Sequence, residues 1–331
     1  NSIKATKKTG QMAAYAVQGY SPKRDESGKP NSGRFFAAFD TVRAQQYDAA
    51  SAEWEERKDT DLKDYWPRSE IPYGFMTAIA NSDLRENHGL THWWTMFNPR
   101  QLLVHAQLLK AIVEVGNYSW QVREFVLCAF QQYVRCNNGL SIWHMKNNQI
   151  SAALSNNNFH PKSTSLEPSV FNKTGDGNWK SAIGGLIDSL NWVANPWELV
   201  SAEGLITKDL ELSKSITGKS EKVFPGDRIQ PTQIFCGSST DLSQHEDSSI
   251  DLVITDPPFG GLLHYSELAD FFYVWLRLVL KDKYPEHFGT EYTPKSLEAV
   301  ANKAREPEDS DGFYQRLLTQ CWREAYRMLK P

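Results

Sequence analysis

Apolar residues recur along this chain with two periods, and the period changes at breaks rich in Gly, Pro, Asn and Ser. Between 98 and 115, Leu102, Leu103, Ala106, Leu109, Ile112 and Val113 fall on one stripe with helical spacing. Asn98 precedes them as a cap, and Pro99 takes the first helical position, where no N–H is needed. A second helix is predicted over 119–136, with Val122, Phe125, Val126, Ala129, Phe130 and Tyr133 on one face and Asn137-Asn138-Gly139 ending it. Further helical patterns cover 40–58, 180–193, 265–280 and 311–329. In 265–280, Ser266 is the expected cap, and Phe271, Val274, Trp275, Leu278 and Val279 form the stripe.

Strand patterns are shorter. Residues 12–18 and 34–39 read as two strands joined by the polar segment Ser21 to Gly33. Lys23, Arg24, Lys29 and Arg34 fit a solvated hairpin loop better than a phosphate contact. Residues 232–236 form a third pattern, stopping at Gly237. The fourth is Ile250-Asp251-Leu252-Val253-Ile254, an apolar run suited to a buried parallel strand. Two polar stretches separate these elements. Residues 144–180 hold Asn156-Asn157-Asn158, His160-Pro161-Lys162 and Gly175-Asp176-Gly177, the composition of a surface loop. Residues 203–230 are lysine-rich and poor in aromatics, which places a domain boundary there: 1–225 as an accessory, helical and target-recognition region, and 226–331 as the catalytic segment.

Composition narrows the class. With 331 residues, 40% hydrophobic, and 11 Trp, 13 Tyr and 16 Phe, most of the chain should fold around a substantial core. The net charge of -4 removes a global basic surface as an argument for nucleic-acid binding, without excluding a local groove. Cys128, Cys136, Cys236 and Cys321 form no Cys-x-x-Cys pair, so no zinc site or disulfide framework is expected, and the compartment implied is the reducing cytoplasm. No apolar run approaches the ~20 residues of a membrane span, and no signal peptide is visible. The chain starts at Asn1 and stops at Lys330-Pro331 directly after a helical pattern, which fits a piece of a longer protein.

The candidate chemistry lies where the fourth strand pattern ends, in Thr255-Asp256-Pro257-Pro258-Phe259-Gly260-Gly261. In open α/β sheets, ligands bind just beyond the carboxyl ends of strands. A carboxylate beside a rigid backbone carbonyl accepts two hydrogens at once, and an adjacent aromatic offers a stacking face. This segment resembles the Asp-Pro-Pro-Tyr/Phe motif of S-adenosylmethionine-dependent amino-methyltransferases. The block from Leu252 to Leu280, with His264-Tyr265-Ser266-Glu267-Leu268, resembles large adenine-specific DNA methylases linked to anti-phage defence. Met96 to Leu103, Lys8 through Phe35, and Asn195-Pro196-Trp197 resemble other stretches of the same group.

The resemblance implies an α/β fold with a Rossmann-like methyltransferase sheet, incomplete here, and a helical accessory region. It implies DNA as substrate, adenine N6 as acceptor, S-adenosylmethionine as donor, and other defence-system proteins as partners. Asp256 and the Pro257 carbonyl would hold the amino hydrogens, Pro258 would stiffen the loop, and Phe259 would stack on an extruded base. His264 and Tyr265 are candidates for base or backbone contacts, as against simple packing. The segment Ile234 to Thr240 is not the Gly-rich donor loop, because fewer than 20 residues separate Gly237 from Asp256, too few for the intervening strands and helices. It fits the strand before the catalytic one, beside the donor's adenine, with Cys236, Ser238 and Asp241 as donor contacts. Two rivals stay open: cytosine N4 or an RNA base as acceptor, and a non-catalytic DNA-binding subunit of a defence complex.

Overall fold

The computed structural model describes residues 13–20, 34–80, 83–144, 149–155, 157–159, 161, 165–171, 177–194, 197–200, 219–222 and 233–331. The described chain is mixed α/β and mostly helical, and its ladders are three two-stranded antiparallel pairs. The first pairs β1 (Ala16–Tyr20) with β2 (Arg34–Ala38), in a register that sets Ala16 opposite Ala38. Helix α1 (Thr41–Arg57) follows, capped by Asp40, whose carboxylate accepts from the Arg43 amide at 2.9 Å.

Residues 58–97 carry no long periodic pattern, yet they hold much of the core. They contain a single π-helical turn (Phe75–Ile79), the short helix α2 (Leu84–His88) and a 3₁₀ turn (Trp93–Met96). Leu62, Ile71, Leu84 and Trp93 are buried along this stretch. Next come α3 (Pro99–Glu114) and α4 (Trp120–Cys136). Helix α3 opens with a reciprocal capping box: Asn98 Oδ1 accepts from the Gln101 amide at 2.9 Å, and Gln101 Oε1 accepts from the Asn98 amide at 3.0 Å. On α4 the buried face is Leu127, Ala129, Phe130, Tyr133 and Val134, whereas Val122 and Phe125 of the expected stripe are exposed. The buried face lies in the C-terminal half of the helix; its first turns are held by polar contacts, with Glu124 accepting from Lys283 and Tyr284 and Arg123 donating to the Ile112 carbonyl.

A short pair, β3 (Ile142–His144) with β4 (Gln149–Ser151), precedes α5 (Trp179–Ala194), and β5 (Trp197–Val200) pairs with β6 (Lys219–Lys222). The C-terminal region contributes α6 (Tyr265–Leu280), α7 (Pro285–Phe288) and α8 (Ser310–Met328). Helix α6 drives its apolar face into the same core as α3 and α4. Phe271 stacks on Phe97 with centroids 5.7 Å apart, and Trp275 meets Phe97 and Phe130 edge-on. Each such fully buried large side chain contributes about 2–3 kcal/mol, so this contact ties residues on both sides of the expected boundary into one core.

Two expected strands are not formed. Residues 233–237 have no ladder partner among the described residues, and in 250–254 only Ile250 pairs. That pairing is parallel, to Leu329: the Ile250 amide donates to the Met328 carbonyl at 2.9 Å, and the Lys330 amide donates to the Ile250 carbonyl at 3.0 Å. Beyond Ile250 the run makes no further backbone ladder bond among the described residues, and Leu252 and Ile254 are exposed. A strand exists only through its partner, so an apolar run without one stays unpaired. The segments Lys8 to Met12, Ser21 to Gly33, Asn195-Pro196 and 223–232 lie outside the described residues, as do Asn156, His160 and Lys162.

Candidate functional site

The loop Asp256 to Gly261 leaves the apolar run and turns into the approach to α6. Its turn is made possible by Gly260, which has φ 58° and so occupies the left-handed region that side chains avoid. The Leu262 amide closes the turn onto the Phe259 carbonyl at 3.2 Å. Two other segments hold the loop from behind. Tyr314 of α8 donates its hydroxyl to the Pro258 carbonyl at 2.9 Å, and the Ala301 amide donates to the Gly260 carbonyl at 3.1 Å. Gly261 runs so close to this segment that a Cβ would sit 2.7 Å from the Ala301 carbonyl oxygen.

The four residues of the motif therefore stand together on one loop. Asp256 is exposed, Pro257 and Pro258 are half-buried, and the Phe259 ring is 67% exposed. Among the described residues, neither the Asp256 carboxylate nor the Pro257 carbonyl has a hydrogen-bond partner. The arrangement offers two acceptors and an aromatic face to solvent, which suits a planar ligand with hydrogens to donate.

His264 and Tyr265 follow at the start of α6 and go separate ways. Tyr265 is half-exposed. His264 has no exposed surface and lies flat against Phe75, with ring centroids 4.2 Å apart. Burial pushes its pKa below the usual histidine value, although Glu267 and Glu298 nearby favour the charged form. Neither ring nitrogen has a partner in hydrogen-bonding geometry; the Gly261 backbone lies near enough only to favour the protonated ring. His264 is thus part of the packing beneath the loop. Ser266 does not cap the helix: it lies in the first turn, where its amide donates to Glu298 Oε1 at 2.8 Å and its hydroxyl to Glu298 Oε2.

Below the loop, α6 carries two buried carboxylates that the sequence pattern did not single out. Glu267 accepts from the Phe75 amide at 3.1 Å, the Met76 amide at 2.8 Å and Asn302 Nδ2 at 2.6 Å. It thereby satisfies the free amides at the start of the π-helical turn. Asp270 accepts from Lys295 Nζ at 2.6 Å and from the Thr293 amide at 2.9 Å. Burial raises the Asp270 pKa, and the Lys295 charge works against that rise. These groups border a cavity of about 400 Å³ between Tyr73, Thr77, Tyr292 and Arg305. Spacing gave one usable signal for them: two acids three residues apart on a strongly apolar helix are costly to bury unless each is paired.

The proposed donor contacts occupy a separate, polar turn. Ser238 Oγ bonds Thr240 Oγ1 at 2.8 Å, and Asp241 Oδ1 accepts from the Ser243 amide at 3.1 Å. Cys236 is exposed, with its Sγ 3.9 Å from His287 Nδ1. Arg327 and Glu324 of α8 clamp this turn: the Leu242 amide donates to Glu324 at 3.0 Å, and Arg327 donates to the Leu242 and His245 carbonyls. Residues 233–237 are exposed, and Ser238 and Thr240 beside them are half-buried. Among the described residues no group of three or more His, Cys, Asp or Glu side chains is placed to hold a metal ion, and no helix is long and apolar enough to cross a membrane. No family model matches the chain, and neither a curated protein nor a solved structure is significantly similar to it.

Proposed function

We propose that this chain carries the acceptor half of an amino-methyltransferase site acting on DNA, with adenine N6 as the acceptor and S-adenosylmethionine as the methyl donor. One observation carries the proposal: Asp256, the Pro257 carbonyl and the Phe259 ring stand together on an open loop, with both acceptors unengaged among the described residues. An exocyclic amino group is a poor nucleophile because its lone pair is delocalised into the ring. Two acceptors that take both its hydrogens favour the geometry in which that lone pair can attack. Phe259 supplies a face for a base taken out of its stack. When bound, the donor supplies an electrophilic methyl group.

The parallel contact between Ile250 and Leu329 supports a further part of this proposal, a Rossmann-like sheet. In it, 250–254 and the residues after Met328 run side by side, and other strands cover Leu252 and Ile254. The cytoplasm, DNA and defence-system proteins follow as setting and partners of the proposed activity. The test is transfer of a labelled methyl group from S-adenosylmethionine to DNA and to RNA, followed by base analysis. N6-methyladenine in DNA is expected, and Asp256→Ala should lower turnover by at least about a hundredfold with unchanged far-ultraviolet circular dichroism. Label found only in RNA or only on cytosine N4 replaces the acceptor. No transfer and no calorimetric binding of S-adenosylmethionine defeats the enzyme and leaves a DNA-binding subunit.

A further inference from the structure

Pro257 and Pro258 have no backbone N–H, so at these two positions the backbone can be anchored only through its carbonyl groups. The structure anchors the Pro258 carbonyl by the Tyr314 hydroxyl at 2.9 Å, the Phe259 carbonyl by the Leu262 amide at 3.2 Å, and the Gly260 carbonyl by the Ala301 amide at 3.1 Å. The first fixes the peptide plane between Pro258 and Phe259, and with it the direction in which the Phe259 ring leaves the chain. Successive carbonyls of an extended or polyproline chain point to different sides. Engaging the Pro258 carbonyl on the α8 side therefore leaves the Pro257 carbonyl turned elsewhere, and that carbonyl has no partner among the described residues.

We propose that Tyr314 is a positioning residue for the acceptor base. Its hydroxyl holds the Asp256 carboxylate, the Pro257 carbonyl and the Phe259 ring in one mutual arrangement, without touching the base. The proposal rests on the reading of Asp256 to Phe259 as an amino-acceptor site. A single hydroxyl on a half-buried tyrosine is removable without emptying the core, so Tyr314→Phe isolates the contact.

Two measurements on the full chain test it. In labelled-methyl assays, kcat of Tyr314→Phe should fall roughly ten- to hundredfold while KM for S-adenosylmethionine and the urea midpoint stay near wild type. Independently of activity, 4-fluorophenylalanine placed at 259 should give one ¹⁹F resonance in the protein that keeps Tyr314 and a broadened or split one in the Tyr314→Phe variant. An active wild type with unchanged kcat in the variant, or a single sharp resonance in both proteins, overturns the role of Tyr314 and leaves the methyltransferase proposal standing. A wild type that transfers no methyl group to either nucleic acid defeats that proposal and this inference with it.

Discussion

His105 of α3 is fully buried, and its ring nitrogen Nε2 lies 2.8 Å from the Asn137 carbonyl. A carbonyl only accepts, so Nε2 carries the proton and Nδ1 is left without a partner. Burial lowers its pKa from 6.5 to about 4, and the Asn137 contact only partly offsets this. The folded chain thus binds this proton less readily than the unfolded chain. The stability linked to His105 is fully present above pH 6.5 and is lost as the pH falls from 6.5 toward about 4. Between about pH 7.5 and about pH 5, wild type should lose roughly 2 kcal/mol more than His105→Gln, measured by urea unfolding, since Gln keeps a donor for Asn137 and does not titrate. Equal losses in both proteins would remove His105 as the source.

At the scale of elements, the decisive contact is between α6 and the π-helical turn at Phe75–Ile79. Glu267 reaches 192 residues back along the chain to accept from the Phe75 amide, and Gly74 lets the backbone come that close. A Cβ at Gly74 would stand 2.5 Å from Glu267 Oε2. That oxygen belongs to a carboxylate held by three donors, so it cannot swing aside as a free side chain would. Gly74→Ala should therefore destabilise the protein by about 1–3 kcal/mol in chemical denaturation, and a neutral result would mean the turn shifts without cost. The long helices around this contact were legible because their ends carry local chemistry, as with the box formed by Asn98 and Gln101 at the start of α3. The 58–97 region was not legible. Its buried Leu62, Ile71, Leu84 and Trp93 are scattered among short turns and follow neither helical nor strand spacing.

Across the whole molecule, one core crosses the boundary that composition placed between 225 and 226. Phe271, Val274 and Trp275 of α6 are buried among residues of 54–182. Residues 226–331 expressed alone should consequently lack cooperative thermal unfolding and bind a hydrophobic dye, because α6 would present those side chains to water. A sharp, cooperative transition in that piece would show that it is an independent domain.

Local sequence determined the helices with caps and stripes and the rigid turn at Asp256 to Gly261, because caps, prolines and glycines act on the backbone within a few residues. It also displayed the acid, the two prolines and the aromatic that make the candidate site. Tertiary structure decided what flanks that site. It buried His264 against Phe75, left Tyr265 half-exposed, paired the two acids of α6 and brought Tyr314 to the Pro258 carbonyl across 56 residues. It also limited the apolar run 250–254 to a single parallel contact at Ile250. A strand pattern states which residues could pair, but a ladder forms only when a second segment supplies the matching donors and acceptors.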